Sequence, residues 1–203
     1  MNQFVYNLDF ATGGGLRMGP YSVEEYVADI RNVVAEEDSE SAITSRIKPM
    51  ARRLAADRSW IKEVHREVDP EQGFGLHLLH EEENHELAVF VISWAPGRGL
   101  GPHNHKTWAV VAAIEGQEQE TGYRRIDDES KPGFANLEIS HEETLYPGTV
   151  VCCMPEDIHS VWNSGTGIAM SLHTYGRHLN HTGRSIFNLE NKTEMPCIVK
   201  VEN

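Results

Sequence analysis

Cysteine is scarce in this chain: Cys152, Cys153 and Cys197 are the three thiols among 203 residues, and two of them are adjacent. Three thiols cannot build a disulfide framework, so a reducing cytoplasm is the expected setting. Long apolar runs are missing too. No stretch of 18 or more apolar residues occurs, which excludes a transmembrane helix. Met1-Asn2-Gln3-Phe4 lacks the basic and apolar regions of a secretory signal. Positive charge is also short, with 18 Lys and Arg against 31 Asp and Glu, a net charge of −13. A field of that sign repels phosphate backbones and anionic bilayers, so neither nucleic acid nor membrane is an expected partner. A small anion is still allowed, because a local basic pocket can oppose the global field. Histidine, by contrast, is plentiful at 11 residues. It is the commonest metal ligand and the usual acid or base at neutral pH, so its placement comes first.

The size suits one domain. Gly13-Gly14-Gly15 and Gly19-Pro20 read as a flexible lead-in, and no G-x-x-x-x-G-K-[ST] pattern follows to make the glycines a phosphate cradle. Ser22 with Glu25 forms a capping box ahead of Val23, Tyr26, Val27, Ile30, Val33 and Val34, which predicts an amphipathic helix to about Glu37. A second helix is expected over Ala42 to Asp57, kinked or split at Pro49, and a third short one around Trp60, Ile61 and Val64. From about Phe74 the texture changes to short apolar or alternating runs separated by turn-formers such as Pro96-Gly97, Pro132-Gly133 and Pro147-Gly148. Many short strands with regular turns predict an antiparallel sandwich or barrel. The expectation is a mainly β single domain over 1–203: a helical N-terminal segment, about 1–70, packs on a β-barrel, about 74–203, that carries the functional site.

His103-Asn104-His105 lies just after a Gly/Pro-rich bend, and residues two apart on a strand share a face. Gly97 precedes His103 by six residues and Gly116 follows His105 by eleven. Downstream, Gly148 precedes His159 by eleven residues and Asn163 follows it by four. These spacings resemble the two paired motifs of the cupin superfamily, G-x5-H-x-H-x3,4-E-x6-G and G-x5-P-x-G-x2-H-x3-N. Two departures stand out. Pro155 is displaced by one and Asp157 stands near the usual glycine, while Ala109 or Val110 takes the place of the glutamate ligand. The resemblance thus implies a jelly-roll-like barrel with a metal held by His103, His105 and His159. Three neutral ligands leave a divalent ion its full charge and open positions for an anionic chelating substrate and a gas molecule; imidazole alone does not select the metal.

Ser171, His173 and Tyr175 alternate onto one face of an expected strand. With Trp94-Ala95-Pro96-Gly97 and His103-x-His105-x-x-Trp108, this is similar to the cysteine dioxygenase family of thiol dioxygenases, over roughly 74–187. The resemblance implies Fe(II) on the three histidines, transfer of both atoms of O2 to a substrate sulfur to give a sulfinate, and a relay in which Ser171 and His173 orient Tyr175. The arginine that animal-type members carry on the strand before the first motif has no counterpart in Phe74–Leu79. The cysteine of their cysteine–tyrosine crosslink falls at Val110, so no such crosslink is expected on Tyr175. Arg184, nine residues beyond Tyr175, is similar to the carboxylate-binding arginine of the bacterial 3-mercaptopropionate dioxygenase branch, and a guanidinium matches a carboxylate fork.

The expected substrate is therefore a small mercapto-carboxylate such as 3-mercaptopropionate, with Trp108 lining the pocket and His77 reading a second carboxylate. The alternatives are a cysteine dioxygenase, or a non-redox metal-binding cupin serving as an isomerase or small-molecule binding module. The sequence is silent on oligomeric state. His65, His80, His85, His141, His178 and His181 read as surface or loop residues, and Cys152-Cys153 as strand packing.

Overall fold

A computed structural model describes residues 20–202. The triple glycine and Gly19 of the expected lead-in lie outside the described residues. Helix α1 (Val23–Glu36) starts where the capping box puts it: Ser22 accepts from the Glu25 N–H, and Glu25 accepts from the Ser22 N–H. Helix α2 (Glu40–Ala56) is capped by Ser39 and runs uninterrupted through Pro49, contrary to the expected split. Its buried face, Ile43, Ile47, Ala51 and Leu54, packs both halves into one core, which outweighs the amide hydrogen bond that proline cannot make. In place of a third α-helix, two 3-10 turns (Arg58–Trp60 and Glu63–Arg66) lead to the barrel.

The strands, in chain order, are β1 (Phe74–Glu81), β2 (Glu86–Trp94), β3 (Gly99–His103), β4 (Ala109–Glu115), β5 (Glu118–Arg125), β6 (Leu137–Leu145), β7 (Val150–Cys153), β8 (Ile158–Trp162), β9 (Ala169–Arg177), β10 (Ser185–Asn188) and β11 (Thr193–Pro196). They form two antiparallel sheets, β1-β2-β9-β4-β7 and β11-β10-β3-β8-β5-β6, whose inner faces share one apolar cluster. This is the cupin-type barrel that the motif spacing implied. Gly99 to Pro102, expected as turn, instead belongs to β3. Its ladder with β8 slips between Leu100 and His103, and that irregularity accommodates a proline that cannot donate.

The first sheet is buried on both sides. Along β2, Ala88, Phe90, Ile92 and Trp94 face the barrel, while Leu87, Val89 and Val91 face the helices. That explains why these strands read as continuous apolar runs rather than alternating ones. The helices are locked on by more than apolar contact, since the Tyr26 hydroxyl meets Thr174 Oγ1 of β9 at 2.7 Å in a buried pair. Replacing Tyr26 by Phe strands the threonine hydroxyl and should cost about 1–2 kcal/mol. The urea midpoint should fall with an unchanged m-value; an unshifted midpoint would mean that the apolar face alone holds α1.

Candidate metal centre

His103 closes β3 and lies directly opposite His159 of β8. His105 follows in the turn, whose backbone is pinned by Asn104: its N–H donates to the Ser185 carbonyl at 3.1 Å, and its Oδ1 accepts from the Ser185 N–H at 2.8 Å. The next residue, Lys106, takes the left-handed conformation at φ 54° that turns the chain into β4. All three imidazoles are buried. The His105 and His159 Nε2 atoms stand 3.3 Å apart, and one nitrogen from each ring lies within 4.8 Å of the others. His103 Nδ1 donates to the Gly101 carbonyl at 2.9 Å, which leaves Nε2 for a metal. His159 Nδ1 lies 3.3 Å from a Glu120 carboxylate oxygen, off the line of a regular hydrogen bond. Burial, then the other imidazoles and Arg184, hold the His103 and His105 pKa values well below the ordinary range. Both rings are therefore neutral, the form that ligates. Three converging imidazole nitrogens, with the His103 ring oriented by the Gly101 carbonyl, fit a divalent transition metal.

The place of a fourth, carboxylate ligand is filled by alkyl groups. Ala109 is in the barrel interior, paired with Tyr175, and Val110 points the opposite way into the helical layer. The residue facing Tyr175 is thus Ala109 and not Val110, and neither can carry a thioether.

Strand β9 alternates as expected. Ser171, His173 and Tyr175 are all buried, and Thr174 bonds outward to Tyr26. Tyr175 Oη contacts His173 Nδ1 at 2.9 Å, and His173 Nε2 contacts Ser171 Oγ at 2.8 Å. Burial lowers the His173 pKa to about 3 and raises that of Tyr175, so both are neutral members of the chain. The Tyr175 ring stands 5.1 Å from that of His105. Arg184 lies in the same small pocket as the three histidines, His173 and Tyr175. It is 3% exposed, and its Nε and Nη2 have no hydrogen-bond partner among the described residues. Phe74, Leu76, Ile92, Leu100 and Val161 supply apolar wall. A wider cleft, about 550 Å³, opens beside β7 and shares only Glu120 and His159 with this constellation.

Two expected pocket residues are elsewhere. His77 turns away from the pocket, its Nε2 against the Glu67 carbonyl at 2.9 Å and its ring beside His65, because on β1 the inward position is Leu76. Trp108 precedes inward-facing Ala109 and so packs on the helical side; the tryptophan lining the site is Trp94. His65 and His178 are buried, not superficial. His85 and His181 stack at 3.6 Å with planes 7° apart, and with Glu81 they bring one ligand atom each within 4.8 Å of one another in a less buried cluster.

Glu118 and Glu120 were missed. Nothing in the sequence singled out these two acids on either side of Gln119, yet both point into the barrel and are buried.

No protein-family model matches the chain. Among solved structures, an oxalate oxidase bound to the substrate analogue glycolate is 16% identical, with 54% of this chain covered, 53% of that chain and a TM-score of 0.42. The cupin domain of an XRE family transcriptional regulator from Enterobacter cloacae is 21% identical, covering 51% of this chain and 96% of that one, TM-score 0.37. A Klebsiella pneumoniae protein with a double-stranded β-helix domain is 19% identical, with 62% and 95% covered and a TM-score of 0.41. The chain spans about half the length of the oxalate oxidases it matches.

Removing the carboxylate behind His159 should loosen the centre without dismantling it. Glu120→Ala is expected to lower affinity for Zn2+ by about 10–100-fold in a chelator competition, and His159→Ala to abolish stoichiometric binding. Equal affinity in Glu120→Ala and the parent would remove Glu120 from the metal site.

Proposed function

We propose that this protein is a non-haem iron thiol dioxygenase that converts a small mercapto-carboxylate, of the 3-mercaptopropionate kind, into its sulfinate. The observation that carries the reading is one buried pocket in which three converging imidazoles, a tyrosine ending a hydrogen-bonded chain and a guanidinium whose Nε and Nη2 lack partners among the described residues meet. Fe(II) held by His103, His105 and His159 would supply the redox chemistry that joins both atoms of O2 to sulfur.

The chain's own groups do the rest. Arg184 lacks an anion; a substrate carboxylate supplies one in a fork geometry that fixes the distance from carboxylate to sulfur. Tyr175 offers its hydroxyl to the substrate's reacting end, aimed by His173 and behind it Ser171. The apolar wall takes the methylene groups and keeps water out. No carboxylate is among the residues lining the pocket, so the ammonium group of cysteine would be desolvated beside a guanidinium with no partner. That favours a mercapto acid over cysteine. A non-redox binding module, for its part, has no use for a buried Ser–His–Tyr chain beside three imidazoles.

Oxygen consumption by the iron-loaded protein over a panel of thiols tests the reading. Uptake should require thiol, yield sulfinate and show higher kcat/KM for 3-mercaptopropionate than for cysteine; thiol-independent uptake, or no sulfinate from any thiol, sinks it. Arg184→Ala should raise KM about 10–100-fold, the loss of one charged hydrogen-bonding pair, with a smaller effect on kcat. An unchanged KM would withdraw its role. Tyr175→Phe should lower turnover or the ratio of sulfinate formed to oxygen consumed, and parental values for both would take the tyrosine out of the chemistry.

A further inference from the structure

Glu118 is the one buried acid that neither the metal centre nor the proposed substrate contacts explain. It begins β5, is 1% exposed, and both of its carboxyl oxygens lack a regular hydrogen-bond partner among the described residues. Burial raises its pKa to about 7; the Ser171 hydroxyl and, less, the Trp94 indole N–H act against the rise as donors, while the charge of Glu120 adds to it. The groups around it are thus Ser171 of β9, Trp94 of β2 and Glu120 on its own strand, with His173 and Tyr175 further along the β9 chain and His159 beyond Glu120. Trp94 Nε1 also approaches Ser171 Oγ at 3.5 Å, so indole, hydroxyl and carboxyl are mutual neighbours inside the barrel. An apolar interior does not retain an acid there by default, because an unpaired carboxylate is among the least favourable groups to bury.

Resting on the thiol-oxidation reading, we infer that Glu118 is the proton acceptor at the inner end of a Tyr175–His173–Ser171 wire, storing the proton that a thiol loses on entering the pocket. Before transfer the Tyr175 O–H donates to His173 Nδ1, His173 Nε2–H donates to Ser171 Oγ, and the Ser171 O–H turns to the Glu118 carboxylate. The thiol proton passes to the tyrosine oxygen as the tyrosine proton moves to Nδ1. The Nε2 proton moves to the serine oxygen, and the serine proton to the carboxylate. One S–H bond breaks and one carboxyl O–H bond forms. Tyrosine, histidine and serine end neutral, with the imidazole in its other tautomer, and the substrate is left as the thiolate. A group that must accept this proton and return it needs an affinity near the working pH, and burial supplies that. Glu118 touches no substrate and acts only through Ser171.

Two measurements decide it. Histidine-selective 15N NMR of the zinc-loaded protein, with no thiol added, reads the His173 tautomer against pH. Nε2–H should dominate above neutrality and Nδ1–H below it, with the switch lost in Glu118→Gln. Difference infrared spectroscopy of the same protein on adding 3-mercaptopropionate should show a protonated carboxyl C=O band, lost in Glu118→Gln and in Ser171→Ala. A His173 tautomer that ignores pH, or that switches equally in Glu118→Gln, overturns the inference; so does a band that survives Glu118→Gln, or none despite calorimetric thiol binding. If no thiol binds at all, the substrate reading fails, and the tautomer titration still decides the role of Glu118.

Discussion

The constraint that organises this molecule is the burial of a guanidinium and three imidazoles together, with no carboxylate lining their pocket. Any one of these groups carrying an uncompensated charge in an apolar interior is expensive. For His103 and His105 the barrel meets the constraint through desolvation and the neighbouring imidazoles and guanidinium, which keep both rings neutral. The guanidinium cannot be neutralised that way, since it does not lose its proton in proteins. Arg184 therefore brings a fixed positive charge into the pocket, where its Nε and Nη2 lack hydrogen-bond partners among the described residues. The chain's net charge of −13 is not in conflict with this, because Arg184 lies in a pocket walled by Phe74, Leu76, Ile92 and Leu100.

Holding that space open requires a stiff frame, which comes from burying the β1-β2-β9-β4-β7 sheet on both faces. Helices α1 and α2 cover its outer side, so Tyr26, Ile30, Ile47 and Leu54 stabilise the strands whose inner faces carry the chemistry. Strand β9 makes the connection explicit. Thr174 is tied outward to Tyr26 while its neighbours His173 and Tyr175 are tied inward, so the helix layer fixes the register of the relay. The helices carry none of the site's side chains, yet they keep the two-residue period of β9 in phase with the three histidines.

Much of this was legible in the sequence, and the divide between legible and hidden is physical. Spacing within one strand or turn is local, so His103-x-His105 and Ser171-x-His173-x-Tyr175 could be read directly, and the glycine spacing carried the distant His159. Trp108 was placed by its nearness in sequence to the histidine pair rather than by its phase: alternation from an inward His105 puts Thr107 and Ala109 inside and Trp108 on the helical side, where it is found. His77 failed for a related reason: on a strand buried on both faces, burial does not say which face. Glu118 and Glu120 were hidden because an alternating acidic strand looks solvated until its partner sheet is in place.

Those two acids are also where the sequence breaks its own hydrophobic logic, and such breaks concentrate at sites of function. They sit two residues apart on one face of β5, yet their surroundings separate them. Glu120 lies against His159 Nδ1, the position from which a carboxylate orients an imidazole that would hold a metal. Glu118 has only a serine hydroxyl and an indole to turn to, and its neighbour's charge raises its proton affinity further. One strand thereby sets one carboxylate against His159 and a second, of raised proton affinity, beside the Ser171 end of the chain that leads to Tyr175, so a single two-residue step of β5 serves both the histidine cluster and the tyrosine.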